Sequence, residues 1–316
     1  RIGCNGRKPG HKAEHGLRGR LWPNHNFQFL PQLDSWRLRL PNKILSGMSF
    51  LFAYLTIVAN RCGILTKMSP ETAIIIRTRN EEKWIGEVLK RLRNQTYQDF
   101  EIVVVDSGST DNTLNIVSNF PIRLIEMEAE KFTYPYAINL GISKCVATKY
   151  FVILSAHSLP LNEKWLENGL KNFELNEKVL GVYGRLLALP DGTFWDKLFH
   201  GTSYLWTKFF SFGRSYHVIK KRSMGVLGFT GAIIRRDLWE QYPIDERFAG
   251  GGEDTAWADY WMRQGYVAVM DLKFSVYHSH YLGLWGWIKQ YKHWLEVAKA
   301  KPFEYLDFRK DGAHTH

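Results

Sequence analysis

The chain has 316 residues, 45% of them hydrophobic and 15% aromatic, enough apolar material for one large core or two modest domains. Its formal charge of +11 is concentrated in residues 1–67, which hold 11 Lys and Arg against Glu14 and Asp34, while residues 68–316 hold 31 basic and 29 acidic side chains. A nearly neutral body gives nucleic acid little support as a partner, and Cys4, Cys62 and Cys145 are too scattered for a zinc site or a disulfide framework.

Residues 1–42 are rich in Gly, His, Asn and Arg without a steady period, which predicts a disordered or weakly ordered leader. Residues 44–59, "ILSGMSFLFAYLTIVA", are apolar for 16 residues, short of the roughly 20 that span a bilayer. They read as a signal anchor, as a surface helix, or as translated upstream sequence ahead of Met68, and the last reading is preferred.

From Thr72 the pattern sharpens. "AIIIRTRN" is an apolar run closed by polar residues, and Trp84, Ile85, Val88, Leu89 and Leu92 then recur at helical spacing. "FEIVVVDSGSTDNT" gives a second strand, a polar turn and a helix start near Ser109–Asp111. "IRLIEM" and "YFVILS" supply two more strands. Strand and helix alternating in this way predict an α/β fold, a mostly parallel central sheet flanked by helices. In such sheets ligands bind beyond the carboxyl ends of the strands, so "RTRN", "DSGSTD" and "SAHS" converge on one crevice.

Further on, "GVYGRLLAL" reads as a strand, "GRSYHVIKKRS" as a mobile basic loop, and "GAIIRRDLWE" as a strand entering a helix. "GGGEDTAWADYWMRQGY" is a Gly-rich turn entering another helix, "FSVYHSH" closes the sheet, and residues 282–300 form an amphipathic helix with several Trp. No GxGxxG follows the first strand and no GKS or GKT occurs, which disfavours dinucleotide-binding and P-loop enzymes.

"IIIRTRNEE", "VVVDSGSTDNT", "YAINLGI", "LSAHSLP", "GAIIRRDLWE", "FAGGGEDTAWA" and "VYHSH", in that order, resemble the family 2 glycosyltransferases, inverting nucleotide-sugar enzymes of GT-A fold. The opening motif is somewhat like the rhamnosyltransferase branch. The resemblance covers about residues 71–280. It implies a glycosyltransferase domain over 68–300, with a nucleotide-sugar half at 68–160, an acceptor half at 161–281, the helix at 282–300 and a tail at 301–316.

By the same resemblance, Asp106 meets the nucleotide base and ribose, with Ser107 where a second aspartate is usual. Arg77, Thr78, Arg79 and Glu81 complete the donor pocket with Ser155, Ala156 and His157. Glu253 and Asp254 match the family's acidic pair, with Asp254 the general base for an acceptor hydroxyl.

The family's DxD motif is replaced by Ser155-Ala156-His157, so a site for Mg²⁺ or Mn²⁺ is in doubt. Two routes stay open. In one, His157 with His278 or His280 holds a divalent metal. In the other, Lys220, Lys221 and Arg222 offset the leaving-group charge without one. The expected partners are a nucleoside diphosphate sugar and a glycan or lipid-linked acceptor, in cell-surface polysaccharide synthesis. The expected place is the cytoplasm, at the inner face of a membrane; the Trp-rich helix either lies on that surface or packs against the domain. A nucleotide-sugar-binding module without turnover is the alternative.

Overall fold

The structure, a computed structural model, describes residues 69–299. The leader, its apolar segment 44–59 and the tail at 301–316 lie outside the described residues.

In chain order the elements are strand β1 (Thr72–Thr78), helix α1 (Ile85–Arg93), β2 (Phe100–Asp106), α2 (Thr113–Val117), β3 (Arg123–Glu126), α3 (Tyr134–Lys144) and β4 (Tyr150–Ser155). There follow β5 (Leu159–Pro160), α4 (Trp165–Lys171), β6 (Val179–Tyr183), β7 (Leu186–Leu187), α5 (Phe194–Phe210) and β8 (Tyr216–Ile219). The last are β9 (Gly231–Arg235), α6 (Arg236–Gln241), α7 (Glu253–Met262), β10 (Val267–Asp271), β11 (Val276–Tyr277) and α8 (Leu284–Lys299).

Eight strands form one sheet in the order β3-β2-β1-β4-β9-β6-β10-β8. Its first four strands are parallel throughout. Strand β9 then runs antiparallel to both β4 and β6, so the second half of the sheet is mixed. Both faces are covered, which is why the strands read as continuous apolar runs. Ile75, Val103 and Phe151 pack on one face with Trp257 of α7, while Ile74, Val104 and Val152 pack on the other with Val88 and Leu92 of α1. Each such side chain taken wholly out of water contributes about 1.5–3 kcal/mol.

Three readings are corrected. The basic segment taken for a mobile loop holds β8, an edge strand paired antiparallel with β10. The helix after "DSGSTD" begins at Thr113, because Asp106 and Asp111 hold the preceding residues in turns through their carboxylates. The run "FSVYHSH" does not close the large sheet; Val276–Tyr277 pairs with β5 and β7 in a separate three-stranded sheet.

Candidate active site

The polar ends of β1 and β4 meet the start of α7 and the segment after β11 around a cavity of about 1210 Å³. Arg77, Thr78, Arg79 and Glu81 line it from β1, and Ser155, Ala156 and His157 from β4. Glu253 and Asp254 line it from α7, and His278 and His280 from beyond β11. Residues separated by up to about 200 positions are thus gathered where the fold's strand ends converge.

The carboxylate pair is set by backbone shape. Gly251 and Gly252 have φ of 108° and 88°, a left-handed turn that L side chains resist. It delivers Glu253 and Asp254 to the first turn of α7, where the helix dipole favours negative charge. Glu253 is buried, and burial followed by the charge of Asp254 pushes its pKa up to about 7. Burial also raises Asp254, against hydrogen bonds from Thr255 and the Phe229 backbone and the charge of Arg77. The pair shares its protons as a unit.

Arg77 stands against this pair. Its Nη2 donates to the Phe229 carbonyl at 2.8 Å, and its guanidinium lies 5.1 Å from the centre of the Tyr134 ring. Its Nε, Thr78 Oγ1 and His200 Nε2 are buried without a hydrogen-bond partner, and all three residues line the cavity. Unpaired buried polar atoms are costly unless a ligand or water meets them.

At the other wall His157 Nδ1 lies 2.7 Å from Glu81 Oε1. The His157 ring stacks on His278, centroids 4.4 Å apart and planes 22° from parallel, and His278 Nδ1 lies 3.1 Å from Ser158 Oγ. Burial, with the neighbouring histidines, holds the pKa of His278 well down. The sequence pairs these two imidazoles as metal ligands, and the geometry does not assemble that pair. The in-plane lone pairs of nearly parallel rings run side by side instead of meeting at one point. Among the described residues no group of three or more His, Cys, Asp or Glu is placed to hold an ion, so these side chains do not by themselves complete a divalent-cation site.

Two other sequence assignments fall elsewhere. The Asp106 carboxylate is occupied by its own turn, accepting from the Gly108 and Ser109 amides at 3.0 and 2.9 Å and from Ser109 Oγ at 2.5 Å; its neighbour Ser107 lines the cavity. Lys220 and Lys221 are exposed after β8, Arg222 lies 3.7 Å from Asp259, and none of the three lines the cavity.

The structure adds Tyr183, Arg185, His200, Trp287 and Lys292 to the lining. His200 sits in α5, where burial lowers its pKa to about 4. The aromatic and basic composition of residues 194–224 hinted at His200, and the Trp-rich pattern of residues 282–300 at Trp287.

Sheet order and converging strand ends define a GT-A architecture, with a nucleotide-sized cleft carrying one carboxylate pair. The description "Glycosyl transferase family 2" matches residues 73–242, and the chain belongs to that family. The match ends before Glu253.

Over 115 residues the chain is 35% identical to the dolichyl N-acetyl-alpha-D-glucosaminyl phosphate 3-beta-D-2,3-diacetamido-2,3-dideoxy-beta-D-glucuronosyltransferase of Methanococcus voltae, covering 34% of this chain and 35% of that protein. Over 220 residues it is 24% identical to the O-antigen chain rhamnosyltransferase WbaN of Salmonella anatum, covering 67% of each. A structure of Staphylococcus aureus TarS 1–349 in complex with UDP matches with a TM-score of 0.51 at 17% identity, over 72% of this chain and 64% of that one. That last likeness is one of fold.

Proposed function

We propose that this chain is an inverting glycosyltransferase that moves a sugar from a nucleoside diphosphate sugar to a hydroxyl of a glycan or lipid-linked acceptor. The observation that carries the reading is the Glu253–Asp254 pair, with raised proton affinity, facing a cavity of nucleotide-sugar size beside Arg77. Asp254 takes the proton of the acceptor hydroxyl as its oxygen attacks the anomeric carbon, and the nucleoside diphosphate departs from the opposite face, inverting that carbon. A carboxylate with a raised pKa is the stronger base for this work.

Charge building on the departing diphosphate calls for fixed cations. Arg77, Arg79 and Lys292 line the cavity and supply them in this reading. Thr78, Glu81, Ser155, Ala156 and His157 shape the donor side. The relatives that transfer sugars to O-antigen or dolichyl-linked chains support a polymer or lipid-borne acceptor, handled at the inner face of a membrane. Among the described residues no helix is long and apolar enough to cross a membrane.

The test is release of nucleoside diphosphate by the full chain from a panel of UDP, GDP and dTDP sugars, with a mixture of glycan and lipid-linked acceptors. Release that Asp254→Asn abolishes supports the reading. Nucleotide binding without release from any donor favours the binding module. Arms with Mn²⁺, Mg²⁺ and EDTA separate a cation carried in with the diphosphate from catalysis by protein cations alone.

A further inference from the structure

Helix α5 is built inside out. Phe194, Leu198, Leu205 and Phe209 fall in one row along it, and Trp206 and Phe210 in the adjoining row, all exposed. Trp206 is 62% exposed, Phe209 75%, and Phe212 just past the helix 88%. The opposite side is polar and turned inward. There Asp196 and His200 are buried, and Thr207 accepts a hydrogen bond from Arg185 Nε at 3.0 Å. A soluble helix normally does the reverse, and a contiguous apolar patch rimmed by polar groups marks a surface that meets something apolar.

Charge says what that something is. Between residues 194 and 221 stand five Lys and Arg against Asp196 alone, and the Asp196 carboxylate is buried under three N–H donors. Lys197 and Lys208 are exposed at the border of the apolar arc, and Lys220 and Lys221 follow β8. A second copy laid on this face by two-fold symmetry would bring cations against cations. Anionic lipid headgroups answer both features, since aromatic rings settle at the bilayer interface and lysines reach the phosphates beside them. Helix α8, which packs on α5 through the Trp287–Phe199 stack, also exposes Trp285, Ile288 and Tyr291. The cavity is lined by Phe199 and Ser203 of α5 and by Tyr291 of α8, so it borders the same face.

We infer that the outward face of α5, with α8 beside it, docks on a bilayer bearing anionic phospholipids. The inference rests on exposure and charge, and stands whether or not Asp254 is the catalytic base.

Radical footprinting of the full chain, with and without vesicles, reads the face directly, whatever else in the chain binds lipid. With vesicles of phosphatidylglycerol and phosphatidylcholine, oxidation of Trp206 and Phe209 falls severalfold; with phosphatidylcholine alone it changes little. Lys197→Glu with Lys208→Glu removes the protection while nucleotide binding and melting temperature hold. Unchanged oxidation with the anionic vesicles overturns the inference. So does protection that grows with protein concentration in the absence of lipid, which assigns the face to a second copy.

Discussion

Trp287 Nε1 donates to Asp196 Oδ1 across 2.9 Å, and that one bond ties α8 to the buried side of α5. The other carboxylate oxygen accepts from the backbone amides of Thr193 and Tyr281 at 3.0 and 3.1 Å. A fully buried carboxylate is tolerable only with such donors in place. The indole also stacks on Phe199 and meets the His200 ring edge to face, so the two helices that border the cavity share one polar joint within an aromatic cluster.

Trp287→Phe keeps most of the ring packing and leaves Asp196 Oδ1 without this donor. The expected cost is about 2–3 kcal/mol of stability, read from urea unfolding. Loss of donor turnover without loss of stability would contradict a joint of this kind.

Asp254→Asn preserves shape and removes the proposed base. Its kcat falls about 10²–10⁴-fold, while nucleotide affinity measured by calorimetry stays within about twofold, since the change removes a proton acceptor and no donor-binding contact is assigned to it.

The pKa of Glu253, about 7 in the folded protein against an ordinary 4.5, makes stability depend on pH. Between those values the folded protein holds a proton that the unfolded chain has released, so stability is highest at the acid end and falls as pH rises through 7. Glu253→Gln removes that fall. The variant therefore gains on the wild type as pH rises, by up to ~3 kcal/mol above pH 7, in melts taken across the window. A difference that stays flat with pH would mean the carboxyl ionises as it does in water.

Glu81 and His157 act together if Glu81 fixes the imidazole through Nδ1. Each single change to Ala is expected to lower kcat/KM, and the double change to lower it about as much as one of them. Additive losses would separate the two roles.

The first half of the fold was legible because its strands are buried on both faces. Ile74–Ile76, Val103–Val105 and Phe151–Leu154 read as strands wherever they are placed, and the polar residues behind the first and third of them line the cavity, with Ser107 alone from the second. Strand β8 was missed because Tyr216–Ile219 alternates at a sheet edge and runs into Lys220 and Lys221, whose charges resemble a loop. Strands of two residues, such as β7 and β11, carry no period at all. His200 and Trp287 came from aromatic stretches in which nothing in the local pattern distinguishes a ring facing the cavity from one facing solvent. Asp106 was legible as a strand-end acid. Its occupation by Gly108 and Ser109 depends on turn geometry that the residue types permit without requiring.

The left-handed turn at Gly251 and Gly252 has a bearing on how freely this sequence can drift. A side chain at Gly251 would meet no heavy atom within 4 Å, so space is no obstacle there; the obstacle is handedness. At Gly250 neither space nor a positive φ objects. Of three adjacent glycines, the first is thus open to substitution, and the second and third are held by the chirality of amino acids themselves. A saturation library over these positions would return diversity at 250 and little at 251 and 252, with Asn, Asp and His the side chains most often kept there.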